Sequence, residues 1–266
     1  MDGTLTFLGT GTSMGVPTVG CECAVCTSAD PCDRRLRPAV LLQWTDGDGR
    51  MRSVVIDTGP DFREQALRTR LKRVDAVLYT HSHADHILGL DDLRPLSFVG
   101  WRESGQAIPL YATTETRAVL ERIYSYTFSP AATYSNRAKV ALHAVEGGAT
   151  IHGAQFTPVP VFHGNLPIVG YRVGGLAYLT DVSAIPEESF PLMEGIEVLV
   201  ISALRHAPHP NHATLDQAMG WARRIGARQT WFTHIAHDLA HEATNAALPA
   251  EMQLAHDGLS VRVRLA

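Results

Sequence analysis

Long hydrophobic runs, an excess of positive charge and dispersed cysteines are all absent from this chain of 266 residues. No apolar stretch approaches the length of a membrane-spanning helix. The N-terminal sequence from Met1 to Thr4 lacks the basic start and apolar core of a signal peptide, which predicts a cytoplasmic protein. A formal net charge of −4 provides neither the basic surface that binds nucleic acids nor a polybasic membrane anchor.

The composition that remains is that of a folded globular protein. Hydrophobic residues make up 45% of the chain and charged residues 19%. This length is sufficient to bury a sizeable core. No composition shift, low-complexity linker or repeat divides the sequence, so we predict a single domain over residues 1–266.

Strand-like and helix-like segments alternate along the whole chain. The predicted helices cover residues 61–70, 86–98, 113–125 and 214–225. The predicted strands cover residues 4–8, 39–44, 53–56, 75–80, 108–111, 140–144, 154–161, 169–173, 177–180, 197–202, 229–232 and 260–265. This is more strands than a doubly wound sheet needs, so two packed sheets with helices outside are favoured. The glycine loop after the first strand does not match Gly-x-Gly-x-x-Gly, which disfavours dinucleotide binding.

Three histidines and one aspartate fall within six residues, at His81, His83, Asp85 and His86. Imidazole and carboxylate groups bind zinc, and also manganese or iron. The run follows an apolar segment that ends at Thr80, so a strand would present the first two histidines at its C-terminal end. Asp85 and His86 would then lie on the next turn. This arrangement suits two adjacent metal ions better than one; a polar surface loop is the alternative.

All four cysteines lie in one short segment, at Cys21, Cys23, Cys26 and Cys32. A disulfide framework would normally join distant parts of a small secreted chain, which this sequence is not. A local group of thiolates in a cytosolic protein is more typical of a zinc site. Redox chemistry or incidental thiols are the alternative.

The run from His81 to His86 after an apolar strand resembles the signature of the metallo-β-lactamase superfamily. The resemblance implies an α/β fold, an αββα sandwich of two packed mixed β-sheets flanked by helices, with a two-metal site at one edge of the sheets. That family takes its other ligands from later strand ends. His163, Asp181 and His234 each follow a predicted strand here.

The resemblance implies two ligand sets that share a bridging aspartate: His81, His83 and His163 for one ion, Asp85, His86 and His234 for the other, and Asp181 between them. Asp57 matches the aspartate that supports this site from behind the ligands. Taken alone, His163, Asp181 and His234 each also have an interpretation as a capping or surface residue. Their joint occurrence with the histidine run favours ligation.

The cysteine segment, at about residues 20–33, is similar to that of the PhnP-type phosphodiesterase branch of the superfamily, in which three cysteines and one histidine hold a structural zinc. The resemblance implies Cys21, Cys23, Cys26 and His237 as its ligands here. Cys32 departs from the family pattern and is an alternative fourth ligand. Either set would form a closed, thiolate-rich site of the structural kind.

By the same resemblance the protein is a dinuclear metal-dependent hydrolase, a phosphodiesterase that cleaves small or cyclic phosphodiesters by attack of a metal-bridging hydroxide. Asp85 is expected to act in catalysis as well as in ligation. His212 matches a histidine near the leaving group, which predicts a general acid or oxyanion stabiliser. The alternative for His212 is a surface position before the helix at 214–225. His206 and His209 either line the same pocket or belong to an exposed proline-rich loop.

Three alternative functions are open. A PqqB-like relative would be a binding or biosynthetic accessory protein, although the full ligand set favours catalysis. A tRNA 3′-processing endonuclease would need a basic arm that the sequence does not show, and a β-lactam or thioester hydrolase could use the same site. The expected cofactors are two divalent ions (Zn, Mn or Fe) and one structural Zn. The expected partner is a small phosphodiester, with no stable nucleic-acid complex and no membrane; a homodimer is suggested only by the family.

Overall fold

The structure is a computed structural model that describes residues 1–131 and 136–266. In this part of the chain, two seven-stranded mixed sheets form the centre of the fold. The first sheet has the order β14-β1-β2-β3-β4-β5-β6 and contains β1 (Asp2–Gly9), β2 (Ala39–Thr45), β3 (Met51–Ile56), β4 (Ala76–Leu78), β5 (Ile108–Ala112), β6 (Val140–Ala144) and β14 (Ser260–Arg264).

The second sheet is formed by the later part of the chain. It has the order β13-β12-β11-β10-β9-β8-β7 and contains β7 (Ala149–Ile151), β8 (Ala154–His163), β9 (Leu166–Val173), β10 (Leu176–Leu179), β11 (Val198–Ser202), β12 (Gln229–Thr233) and β13 (Met252–Leu254). The helices are α1 (Phe62–Arg68), α2 (Ala84–Ile87), α3 (Arg94–Ser104), α4 (Thr114–Ile123), α5 (Ser125–Phe128), α6 (Leu215–Ile225) and α7 (His241–Ala247). Short 3₁₀ turns occur at Pro31–Asp33, Leu90–Leu93, Glu187–Ser189 and Pro191–Met193.

Three hydrophobic clusters hold the layers together. The central cluster joins the facing sides of the two sheets, with Phe7 and Val40 from the first and Tyr171 and Val200 from the second. The other two lie under the helices on the outer faces. Because successive side chains of a strand point to opposite faces, Val200 faces the central cluster while its neighbour Ile201 faces α6. This explains the continuous apolar runs of the central strands and confirms the predicted αββα sandwich.

The parallel strands determine where the functional side chains meet. Strands β3 to β6 run parallel in the first sheet, and β10 to β13 run parallel in the second. Side chains that follow parallel strands collect at the carboxyl edge of a sheet. In the described residues, no helix is long and apolar enough to cross a bilayer.

The predicted helix over residues 86–98 is wrong as one element. The structure has α2, a 3₁₀ turn and then α3 in this region. Gly89 interrupts the helix because it packs directly on the backbone of Gly59; a Cβ there would lie 2.0 Å from the Gly59 carbonyl oxygen. Pro95 then lies in the first turn of α3, where a proline is tolerated. Strands β7 and β13 and helix α7 are additional elements that the sequence pattern did not reveal.

Candidate active site

Five side chains at strand ends converge on one edge of the two sheets. Asp57 follows β3 and His81 closely follows β4 in the first sheet. His163 ends β8, while Asp181 and His234 closely follow β10 and β12 in the second sheet. The sequence therefore folds so that both sheets contribute side chains to one centre.

Three of these residues have a left-handed backbone. The φ angles are +66° at Asp57, +58° at Asp181 and +55° at His234. Such angles are uncommon for residues other than glycine, although aspartate, asparagine and histidine adopt them more readily than most. The turn at each strand end directs the side chain into the site rather than along the strand. Local backbone strain of this kind is typical of functional sites.

A first group contains His81, His83 and His163, whose nearest nitrogen atoms lie within 4.8 Å of one another. The Nδ1 atom of His163 lies 2.7 Å from the carbonyl oxygen of Asn211. A carbonyl only accepts, so Nδ1 carries the hydrogen and Nε2 keeps its lone pair. His81 and His163 are buried, whereas His83 is exposed to solvent.

A second group contains Asp85, His86, Asp181 and His234, all buried and all within 4.8 Å of one another by one ligand atom each. The Asp181 Oδ1 atom is 2.9 Å from His234 Nε2, and its Oδ2 atom is 3.2 Å from His86 Nε2. Asp85 Oδ2 lies 3.3 Å from His86 Nε2. Two carboxylates and two imidazoles thus surround one point. Asp181 also forms a group with His163 and His212, so it lies between the first and second groups.

Asp57 supports the histidines on the side opposite their Nε2 atoms. Its Oδ2 atom is 2.7 Å from His86 Nδ1, and it accepts a hydrogen bond of 2.8 Å from the Thr80 hydroxyl. The Thr80 oxygen lies 3.1 Å from His81 Nδ1. Since the Thr80 hydroxyl donates to Asp57, its oxygen is free to accept from His81. Both histidines therefore direct Nε2 towards the centre, as metal-binding histidines with such support usually do.

The charges of the second group balance each other. Burial alone would lower the pKa of His234, but Asp181 and Asp85 outweigh this effect and raise the pKa to about 9. Burial would raise the pKa of Asp181, yet His234 and His86 keep it well below its usual value. Protons on the two imidazoles thus compensate the two carboxylates, and a divalent cation can take over this compensation.

The donor set fits divalent metal ions. The Nε2 atoms of His81, His86 and His234 are buried and make no hydrogen bond to any described residue, although carboxylates lie close to two of them. A buried polar nitrogen without a hydrogen-bond partner or a metal ion destabilises the folded state. Nitrogen and carboxylate oxygen are the ligands that zinc, manganese and iron accept.

His212 lies beside this centre, as the sequence predicts. Its ring centroid is 4.5 Å from that of His163 and 4.8 Å from that of His234. Burial, reinforced by His234, lowers its pKa to about 3. The ring of His209 lies 5.0 Å from that of His212, and its Nδ1 atom is 3.2 Å from the Asn211 nitrogen. His206, by contrast, borders a separate surface hollow with Met219 and Thr244.

The cysteines form a second centre close by. The Nδ1 atom of His237 lies 3.2, 3.5 and 3.3 Å from the sulfur atoms of Cys21, Cys23 and Cys26. These four residues form one group of ligand atoms, and Cys32 does not belong to it. A backbone hydrogen bond from Cys26 lowers the pKa of Cys23 to about 7, a direction that favours the thiolate. We call this group the cysteine cluster and the first two groups together the histidine–aspartate centre.

Thr80 and Asn211 are site residues that the sequence analysis missed. The hydroxyl of Thr80 joins Asp57 to His81, and the carbonyl of Asn211 holds His163. For Thr80, its position directly before the histidine run was an available signal. The role of Asn211 depends on a backbone carbonyl, which no residue type reveals.

Comparison with known proteins agrees with this geometry. A family profile described as "Beta-lactamase superfamily domain" matches residues 52–235. This span contains the histidine–aspartate centre and ends before His237. The crystal structure of a "new diphosphatase from the PhnP family" superposes with a TM-score of 0.91 and 53% sequence identity, covering 100% of this chain and 98% of that one.

Two further relatives carry names of other kinds, so similarity to this family does not by itself define an activity. Zn²⁺-bound PqqB from Methylobacterium extorquens shares the fold, with a TM-score of 0.74 and 19% identity over 97% of this chain and 99% of that one. An octanoyltransferase of Porphyromonas gingivalis is 36% identical over 257 residues, which is 95% of this chain and 50% of that protein. The chain spans half or less of the curated relatives it matches.

The profile match, the close structural match over both chains and the convergent ligands all agree with the resemblance inferred from the sequence. The chain belongs to the metallo-β-lactamase superfamily, in its PhnP-type branch.

Proposed function

We propose that the protein is a dinuclear metal-dependent phosphodiesterase that cleaves small or cyclic phosphodiesters. The observation that carries this proposal is the position of Asp181. Its two carboxylate oxygens face His234 and His86 at 2.9 and 3.2 Å, and the same residue groups with His163. One carboxylate thus lies where it can serve two ions.

The ligand sets follow from the two groups around Asp181. One ion would be held by His81, His83 and His163, the other by Asp85, His86 and His234, and Asp181 would belong to both. Divalent ions at such a site lower the pKa of water and polarise a phosphoryl oxygen. Zn, Mn and Fe all accept these ligands.

The surrounding residues perform the positioning. Asp57 and Thr80 orient His86 and His81, which keeps the metal-binding nitrogens directed inwards. The exposed His83 lies on the open side of the site, where a small substrate can enter.

His212 is proposed to stabilise the departing oxygen by donating a hydrogen bond, because its lowered pKa keeps the imidazole neutral. It lies 12% exposed beside Asp181, with its Nδ1 atom 3.9 Å from the Asp181 Oδ1 atom. The Nδ1 atom is buried and makes no hydrogen bond to any described residue. A free imidazole nitrogen next to the ligands is positioned to meet the bond that breaks.

The cysteine cluster is proposed to hold a structural zinc through Cys21, Cys23, Cys26 and His237. Three sulfur atoms and one nitrogen form a closed ligand set of the structural kind. We also propose that residues 1–266 form one domain, because β14 at the end of the chain pairs with β1 at its beginning. A homodimer and a cytoplasmic location stay predictions.

The test is a panel of substrates and metals. Protein loaded with Zn, Mn or Fe is assayed on bis(p-nitrophenyl) phosphate, 2′,3′-cyclic nucleotides, a ribosyl cyclic phosphate, a diphosphate ester, precursor tRNA and a β-lactam. We expect turnover of the small phosphodiesters and loss of that turnover in Asp85→Ala. Asp48→Ala, which alters an exposed aspartate of the β2–β3 turn, is the matched control. Preference for tRNA or β-lactam, or full activity of Asp85→Ala, would contradict the proposal.

A further inference from the structure

Arg35 is buried and exposes only 1% of its surface. Its Nη1 atom donates to the carbonyl of Ala236 at 2.8 Å, and its Nη2 atom donates to the carbonyl of Leu239 at 2.6 Å. Nη2 also pairs with Asp33 at 3.0 Å. A buried guanidinium is costly unless its donors find acceptors, and here they find several.

These acceptors lie on the segment that carries ligands of both centres. His234 belongs to the histidine–aspartate centre, and His237 belongs to the cysteine cluster. Ala236 is one of the two residues between them in the sequence. The hydrogen bond from Arg35 therefore restrains the short backbone segment that joins these two histidines.

The same short segment is held on its other sides by backbone hydrogen bonds. Ile235 donates to Thr10 at 2.8 Å and accepts from Thr12 at 3.2 Å. Ala236 donates to Leu204 at 2.9 Å. Arg35 therefore adds side-chain hydrogen bonds to a network of backbone hydrogen bonds around the residues that follow the left-handed turn at His234.

The backbone of Arg35 connects to the cysteine cluster. Its N–H donates to the Val16 carbonyl at 2.7 Å, and its carbonyl accepts from the Val16 N–H at 2.9 Å. Val16 packs with Val25 and Cys26 in a small apolar group that Cys21 and Cys23 also contact. One residue thus joins the cysteine segment by its backbone and the 234–239 segment by its side chain.

We propose that Arg35 is a positioning residue that couples the cysteine cluster to the histidine–aspartate centre by holding the segment from His234 to Leu239. The proposal rests on the proposed function in that the histidine–aspartate centre and the cysteine cluster each bind a divalent metal ion. Loss of the Arg35 hydrogen bonds, or of the ion in the cysteine cluster, then allows His234 to move and weakens metal binding at the second group. Supporting partners of this kind typically change metal affinity by about 10–100-fold.

The experiment measures Co²⁺ binding to the metal-free protein without substrate. The thiolate-to-cobalt band in the near ultraviolet reports occupancy of the cysteine cluster. Equilibrium dialysis gives the total Co²⁺ bound, and subtracting the occupancy of the cysteine cluster gives binding to the histidine–aspartate centre. For Arg35→Met we expect Co²⁺ affinity of the histidine–aspartate centre to fall by about tenfold or more. Arg35→Lys should recover part of this loss, because lysine keeps the positive charge but lacks the two-pronged donor geometry of the guanidinium group. If Arg35→Met does not fold, the same measurement is made on Arg35→Lys, for which we expect the Co²⁺ affinity of the histidine–aspartate centre to fall several-fold.

The matched control is Arg52→Met. Arg52, at the start of β3, is also buried, with 5% exposure. It pairs with Asp46 and Asp75, which lie outside the 234–239 segment. Its replacement is expected to lower stability and leave Co²⁺ affinity unchanged. Wild-type affinity in both Arg35 variants, or an equal loss in Arg52→Met, overturns the proposal.

A double-mutant cycle tests the coupling itself. Cys23→Ser is expected to weaken Co²⁺ binding at the centre in the wild-type background and to do so less when Arg35 is already replaced. Additive effects overturn the coupling. Because no substrate is present, the test stands even if the wild-type protein fails to cleave phosphodiesters, so the two proposals fail separately.

Discussion

The histidine–aspartate centre and the cysteine cluster take His234 and His237 from the same short segment, but they differ in where their other side chains come from. The first draws its side chains from both sheets, buries nearly all of them and supports its histidines by further hydrogen bonds. The second takes three half-buried or buried thiols from one loop and adds a single histidine. The first combines carboxylates with imidazoles and includes one exposed histidine, whereas the second is rich in sulfur. This difference matches the roles proposed above, which are catalysis for the first centre and structural support for the second.

The strongest test of this difference is Asp181→Asn. Asparagine tolerates the left-handed backbone at this position, so the substitution removes a charge without removing the turn. We expect phosphodiester hydrolysis to fall by more than about 10²-fold, beyond the usual cost of losing a supporting partner. Metal analysis should show loss from the histidine–aspartate centre and full zinc in the cysteine cluster. Equal loss from both centres would mean that they are one unit.

His212→Gln separates bond cleavage from metal binding. A hydrogen-bond donor to a developing oxyanion contributes about 10²–10³-fold, and mainly for leaving groups on which the negative charge is localised. We therefore expect a large loss on alkyl phosphodiesters and a small one on bis(p-nitrophenyl) phosphate, with metal content unchanged. His206→Gln is the control, since His206 borders a different surface hollow. The same loss on both substrates would assign His212 to ligand support instead.

Asp57→Asn tests the support behind the ligands. Asparagine again tolerates the positive φ, but it accepts only a neutral hydrogen bond from His86. Metal affinity and kcat should each fall by roughly 10–100-fold. Isothermal titration with Zn²⁺ measures the affinity. An unchanged affinity would show that Thr80 alone orients the histidines.

Cys23→Ser and Cys32→Ser form a matched pair for the cysteine cluster. Cys23 belongs to the group with His237, whereas Cys32 lies outside it. We expect Cys23→Ser to lose one zinc and to lower Tm by several degrees, at roughly 2–4 °C per kcal/mol for a protein of this size. Cys32→Ser should change neither zinc content nor Tm. Loss of zinc in Cys32→Ser as well as in Cys23→Ser would make Cys32 the fourth ligand.

Much of the fold was predictable because its strongest signals are local. The apolar run before His81 predicted a strand, and α2 carries Asp85 and His86 as expected. Helix α6 begins at the Thr214 capping box, within one residue of its predicted start. Strands β7 and β13 have three residues each, too few for any periodicity to show.

Other features depend on tertiary contacts that the sequence does not display. The division of the predicted helix at Gly89 follows from its packing on Gly59. The choice between His237 and Cys32 depends on where the loop closes, which spacing left open. The left-handed turn at Asp181 and the hydrogen bonds of the buried Arg35 require the folded chain. The sequence thus identified the side chains that come together, with Asp57 behind them, but not the contacts that Thr80, Asn211 and Arg35 make around them.

The origin of the ligands in both sheets has a consequence for the lifetime of the protein. His81 and Asp85 belong to the first layer, and Asp181 and His234 to the second. An ion shared between them would fasten one layer to the other, and a ligand present at about 100 times its Kd adds about 2.7 kcal/mol to the folded state. Loss of the metal would then lower the stability of the folded state, so that the protein would become more susceptible to proteases as well as inactive. The supply of metal in the cell would govern how long each molecule survives.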